Sequence, residues 1–310
     1  MKSPSIANPV PGLTTHWRDY LEITKPKVVL LLVFTALAGM VLAVPLWLPL
    51  QETVFGLVGI GMAASSAAAI NHVIDQRADA IMKRTENRPI PQGSLTTAQC
   101  LAFAGLLGLV SMVLLIVLVN PLTAVLTFLS LIGYAIVYTV WLKRATPQNI
   151  VIGGAAGAMP PVLGWAAVTN EVTAGALLLF LIVFVWTPPH FWALAIHRRD
   201  DYAKVDIPML PVTHGIPFTR VQIMLYTILL VIISVFPYLI RMSGPLYLVG
   251  ALVLGGMFLW HAWKLFDETA ERQPIKTFVF SINYLMWLFG ILLVDHWIPP
   301  LWSFGSSLLG

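Results

Sequence analysis

The chain has 310 residues, 58% hydrophobic and only 10% charged, against about 25% charged in ordinary soluble domains, so water is excluded as its main solvent. The net charge of +4 gives no hint of nucleic-acid binding, because Lys and Arg are the residues that orient a membrane protein. The one cysteine, Cys100, rules out an internal disulfide, and no Cys/His spacing resembles a zinc or haem-attachment motif.

Taken in chain order, residues 1–27 read as a cytoplasmic N-terminal tail on a single integral membrane domain, 1–310. The tail carries Asp19 and Glu22 and few arginines, which argues against an organelle-targeting segment, and no cleavable signal pattern precedes the first apolar run. Nine runs then follow at 28–50, 54–74, 98–119, 122–142, 149–168, 173–196, 221–240, 245–264 and 277–297. A bilayer crossing takes roughly 20 residues, so the expected fold is all-α, a polytopic bundle of nine transmembrane helices. Of the 18 Lys and Arg, all but Arg241 fall in the tail or after the second, fourth, sixth and eighth runs. This alternation predicts a cytoplasmic N-terminus and an outer C-terminus, in a membrane of the bacterial inner (cytoplasmic) type. Trp47, Trp141, Trp263 and Trp297, near run ends, read as an interfacial aromatic belt.

Outer connections are short and poor in charge, whereas 75–97 and 197–220 mix acids with bases. Acids do little to set topology, so their clustering needs another cause. The first cluster, Asn71-x-x-x-Asp75-x-x-x-Asp79, has a spacing that puts three side chains on one helix face. An oxygen-only face suits Mg²⁺, which is commonly held by one or two carboxylates plus substrate phosphates; the competing reading is a solvated helix end. Lys83, Arg84 and Arg88 follow, then a loop stiffened by Pro89 and Pro91. Arginine's planar fork matches phosphate oxygens, so acids and arginines together suit a diphosphate leaving group. Taken singly, each arginine also reads as an ordinary positive-inside residue.

The second cluster, Asp200-Asp201-Tyr202-Ala203-Lys204-Val205-Asp206, follows the sixth run. Asp79-x-x-Met82 is echoed by Asp206-x-x-Met209, which suggests a duplicated four-helix unit with two acid clusters facing one cavity and two Mg²⁺ ions clamping one diphosphate. His190 stands in Thr187-Pro188-Pro189-His190-Phe191-Trp192, a string that interrupts an apolar run; ionisable residues at that depth are functional candidates. The alternative is a histidine bonded to a carbonyl freed by the prolines. His72, next to Asn71, is placed at the same cavity.

With these two aspartate clusters and nine runs, the chain resembles the UbiA-type intramembrane prenyltransferases over almost its whole length. Asp79 to Pro89, Leu142 to Gly154 and Thr187 to Leu194, with Asp201-Tyr202 and Pro208-Met209-Leu210-Pro211-Val212, look like the haem O synthase branch of that family, the protohaem IX farnesyltransferases. That resemblance implies Mg²⁺-dependent transfer of a farnesyl group from farnesyl diphosphate to a vinyl group of haem B. It also implies association with haem A synthase or terminal oxidase assembly. The family usually has a small residue where Asp206 stands, which makes Asp201 the firmer member of the second site.

On this basis Asn71, Asp75, Asp79 and Asp201 are the expected catalytic residues, with Asp75, Asp79, Asp201 and Asp206 toward the metal. Arg84, Arg88, Lys143 and Lys204 are expected on the diphosphate, and His190 and His72 at the haem. The alternative activity is a related prenyltransferase acting on a quinone or aromatic-acid acceptor. A transporter, which places ionisable groups near mid-bilayer, is disfavoured because the acids lie at one membrane face.

Overall fold

A computed structural model describes residues 17–307; of the N-terminal tail, residues 1–16 lie outside the described part. Among the described residues there is no strand, and nine helices are long and apolar enough to cross a membrane. They are α1 (Pro26–Ala43), α2 (Leu50–Asp79), α3 (Thr97–Leu118), α4 (Pro121–Ala145), α5 (Asn149–Thr169), α6 (Ala174–His197), α7 (Gly215–Leu239), α8 (Pro245–Phe266) and α9 (Gln273–Ile298). The chain is a multi-pass membrane protein.

The first expected span, 28–50, is too long: α1 ends at Ala43, and Val44 is extended. Pro45 and Pro49 explain the stop, since a helix seldom runs through the residue before a proline. Leu50 opens α2 instead, and α2 runs beyond the expected end at 74 to Asp79. Asn71, Asp75 and Asp79 therefore share one unbroken helix. α6 matches the expected span 173–196 and passes through Pro188 and Pro189 without ending, although each proline lacks an N–H and frees a carbonyl one turn earlier.

The burial pattern sorts the spans. α2, α5 and α6 are the most enclosed, whereas α3 and α4 present most of their surface outward. Lipid offers no hydrophobic drive between helices, so close backbone approach and polar contacts hold such bundles together. A Cβ on Gly164 would lie 1.9 Å from the Ala36 carbonyl oxygen, and one on Gly39 would lie 2.0 Å from that of Pro161; the two glycines let α1 and α5 meet backbone to backbone. Ser66 and Ser111 donate to the Ala104 and Gly59 carbonyls at 2.8 and 2.6 Å, joining α2 to α3. Asn120 caps α4 by accepting from the Thr123 amide and also donates to the Ala166 carbonyl of α5.

α4 carries a π-helical stretch, Gly133–Leu142, a form that commonly marks functional sites. Its wider turn stacks Tyr134 on Tyr138, with centroids 5.6 Å apart. It also brings Lys143 to the end of the helix that faces α2.

Candidate active site

At the end of α2, Asn71, Asp75 and Asp79 are each only 4% exposed. Helical spacing lines them up, and the contacts show what they face. The Asn71 amide donates to Asp75 Oδ2 at 2.8 Å and reaches Thr139 Oγ1 on α4 at 3.4 Å. Lys143 Nζ meets the same Asp75 oxygen at 2.5 Å. Arg88, from the loop after α2, meets Asp79 Oδ2 at 2.6 Å. Asn149 at the start of α5 donates to the Lys143 carbonyl at 3.1 Å and holds that end of α4.

Lys25, counted in the sequence only as a positive-inside residue, completes the ring. It sits between the short helix Trp17–Ile23 and α1, in the left-handed region at φ 53. That costly conformation for a non-glycine residue turns the chain so that its ammonium donates to Asn71 Oδ1 at 2.6 Å. Burial, then the charges of Arg88 and Lys143, push it down to about 7, partly offset by Asp75 and Asp79. The lysine directly before Pro26, at the mouth of the first span, is the signal that could have found it.

The second cluster comes from the helix Arg199–Lys204 beyond α6. Asp201 is buried there and faces Arg198 and Lys204 at 3.7 and 3.8 Å. Tyr202 links the two clusters. Burial pushes its phenol above the usual range, and the charges acting on it are Arg84 and Asp75 from the first cluster and Arg198 and Asp201 from the second. Met82 and Met209 pack in one apolar cluster with Tyr202 and Trp192, so the two echoing segments meet.

The remaining sequence candidates divide. Arg84 is exposed but within electrostatic reach of Tyr202, and Lys204 is exposed beside Asp201. Asp206 stands apart, exposed and in the left-handed region at φ 53. His72 is 2% exposed and both ring nitrogens lack a partner; the charges that reach it are Lys25 and Arg88. His190 lies between the rings of Trp186 and Phe278, at centroid distances of 4.3 and 4.5 Å. A groove between α8 and α9, lined by Val253, Met257, Asn283 and Trp287, shares no residue with these clusters.

The donor chemistry fits a magnesium ion. Asn71, Asp75 and Asp79 offer hard oxygens on one face, and Mg²⁺ usually takes only part of its shell from protein. Among the described residues no three His, Cys, Asp or Glu side chains form a ready cage.

The sequence profile of the UbiA prenyltransferase family matches residues 32–306. The chain belongs to the UbiA prenyltransferase family. Relatives within it include the protoheme IX farnesyltransferase of Nitrosococcus oceani, 59% identical over 93% of this chain and 96% of that one. The protoheme IX farnesyltransferase of Shewanella oneidensis is 57% identical over 96% and 99%. Solved structures share the fold at low identity. A digeranylgeranylglyceryl phosphate synthase superposes with a TM-score of 0.75 at 17% identity, covering 90% of this chain and 98% of its own. A UbiA homologue from Archaeoglobus fulgidus, bound to GPP and Mg²⁺, gives 0.61 at 15% identity, covering 88% and 99%. This member of the UbiA family is thus a prenyltransferase enzyme.

Proposed function

We propose that the enzyme transfers a farnesyl group from farnesyl diphosphate to a vinyl carbon of haem B, with water completing a hydroxyethylfarnesyl substituent and diphosphate released. The observation that carries the donor half is the gathering of Asn71, Asp75 and Asp79 with Lys25, Arg88 and Lys143 at one end of α2. The acceptor half rests on the near-full-length relatives named protoheme IX farnesyltransferase.

In this reading Asn71, Asp75, Asp79 and Asp201 hold Mg²⁺. Bound Mg²⁺ supplies Lewis-acid neutralisation of the diphosphate oxygens. Arg88 and Lys143, which stand on Asp79 and Asp75, need only turn to meet phosphate oxygens bound beside those carboxylates. Lys25 and Arg84 add positive charge, and Lys204 adds it from the second cluster. Asp206 is exposed and can lie no deeper than the rim. No side-chain nucleophile is required, because the allylic C–O bond breaks once the leaving group is stabilised.

The ring faces of Tyr138 and Tyr134 then lie toward the positive charge that develops. Gly153 supports this arrangement: a Cβ there would stand 2.1 Å from Tyr138 Cδ2. His190, between its aromatic neighbours, forms part of the haem site; His72, among the cations, borders the donor. A cytoplasmic site in a bacterial inner membrane agrees with the alternating basic connections and leaves the anionic ends of both substrates at the aqueous rim. The apolar product suits a membrane-bound haem-modifying enzyme or an oxidase in assembly.

The test is a radiolabelled farnesyl diphosphate assay in membranes, offering haem B or 4-hydroxybenzoate as acceptor, together with haem extraction from cells with and without the gene. A more apolar haem of higher mass, present only with the gene, is expected. Label appearing on 4-hydroxybenzoate instead overturns the haem reading.

A further inference from the structure

His190 Nδ1 lies 2.7 Å from Ser281 Oγ, and the same Oγ lies 2.6 Å from the carbonyl oxygen of Phe278. A carbonyl oxygen only accepts, and two oxygens at that distance repel unless a proton lies between them. A serine hydroxyl has one proton, so it is committed to Phe278. The contact with His190 then has to use a proton on Nδ1, with Ser281 accepting. The imidazole is thereby held as the Nδ1–H tautomer, and its lone pair is on Nε2.

The surroundings keep the ring in that pose. Trp186 and Phe278 cover its two faces, and Trp186 Nε1 donates to the Ser281 backbone carbonyl at 2.7 Å, tying α6 to α9 at this level. Nε2 has no hydrogen-bond partner among the described residues, and unlike both ring nitrogens of His72 it is not sealed from open space. An oriented basic nitrogen opposite a bonded N–H is how proteins present histidine to a metal, the outer hydrogen bond fixing tautomer and orientation.

We propose that Ser281 is a positioning residue for the acceptor: it fixes the His190 tautomer so that Nε2 meets the iron of the haem substrate. This rests on the haem reading above.

Two measurements on the full-length enzyme in lipid test it. The first is ¹⁵N-histidine spectroscopy without haem, the His190 signals being assigned among seven histidines by their loss in His190→Ala. Protonated Nδ1 and bare Nε2 are expected in the wild type and in Ser281→Thr, and a shift toward Nε2–H in Ser281→Ala. The second is optical titration with haem B. The wild type and Ser281→Thr should give the spectrum of histidine-ligated iron. Ser281→Ala should bind about ten- to hundredfold more weakly, the usual cost of losing such an outer partner, and His190→Ala should lose the ligation signature. Unchanged farnesyl diphosphate affinity in each variant reports an intact fold.

Nε2–H in the wild type, or an unchanged tautomer and haem affinity in Ser281→Ala, overturns the role of Ser281. A ligation spectrum that survives His190→Ala while the wild type still farnesylates haem overturns this inference alone. A wild type that neither binds nor farnesylates haem overturns the functional reading and this inference with it.

Discussion

Lys143 Nζ stands 2.5 Å from Asp75 Oδ2, although 68 residues separate the two in the chain. That pair joins the π-helical end of α4 to the acid face of α2, so a carboxylate suited to a metal and a cation suited to phosphate are held at one point. Charge alone decides little there. Breaking a buried pair by removing one partner costs about 3–5 kcal/mol, so informative substitutions are those that keep the shape.

Asp75→Asn and Asp79→Asn keep an oxygen facing Lys143 and Arg88 while removing the negative charge. Both variants should remain folded in the membrane and lose turnover by more than about a hundredfold, the scale of several kcal/mol of metal-derived stabilisation. Turnover with labelled farnesyl diphosphate, alongside a thermal melt, checks this. Activity near that of the wild type in either variant removes the carboxylates from the donor site.

Lys25 should make donor binding depend on pH. Burial first, then the charges of Arg88 and Lys143 against those of Asp75 and Asp79, push its ammonium down to about 7. A bound diphosphate favours the charged form, so donor binding takes up a proton above pH 7. KM for farnesyl diphosphate should then rise as pH climbs from about 7, by up to about tenfold per unit, and Lys25→Met should flatten the profile. The same lowered value sets the stability sign. Between about 7 and the ordinary value of 10.5 the unfolded chain holds a proton that the folded protein lacks, so stability from this group rises with pH across that window and is lost below it.

The Tyr138 ring is predicted to act through its face and position. Tyr138→Phe should stay within a few-fold of wild-type turnover. Gly153→Ala drives a methyl to 2.1 Å from the ring, so the ring has to shift, with overpacking of about 1–3 kcal/mol. A lowered Tm together with a loss of turnover much larger than in Tyr138→Phe is expected. Equal activity in the two variants removes the ring from the reaction.

The backbone contact of α1 with α5 should be intolerant of any side chain at Gly164, where the clash is with the Ala36 main chain. Gly164→Ala should destabilise the bundle strongly. Gly157→Ala, where an added Cβ meets nothing within 4 Å, should leave the melt unchanged or raised. Thermal melts of the two purified variants give the comparison.

Much of this was legible in the chain. Nine apolar runs, the alternation of basic residues and the two acid clusters required only period, length and charge. Helical spacing put Asn71, Asp75 and Asp79 on one face without reference to any partner. The end of the first span was misplaced because hydropathy does not register Pro45 and Pro49 as stops. Apolar length carried the sixth span through Pro188 and Pro189, and the enclosed position of α6 in the bundle, which tolerates freed carbonyls, is the part that is not a local property.

Apolar length and charge placement act locally against the bilayer, so a membrane bundle with oxygen-rich and arginine-rich segments at one end could be read from the chain alone. Which groups meet is set by the packing of the spans. Lys25 reaches Asn71 across 46 residues and Ser281 reaches His190 across 91. Those contacts, like that of Lys143 at the π-helical end of α4 with Asp75, depend on how the helices are rotated and packed against one another, which leaves no periodic mark within any one of them.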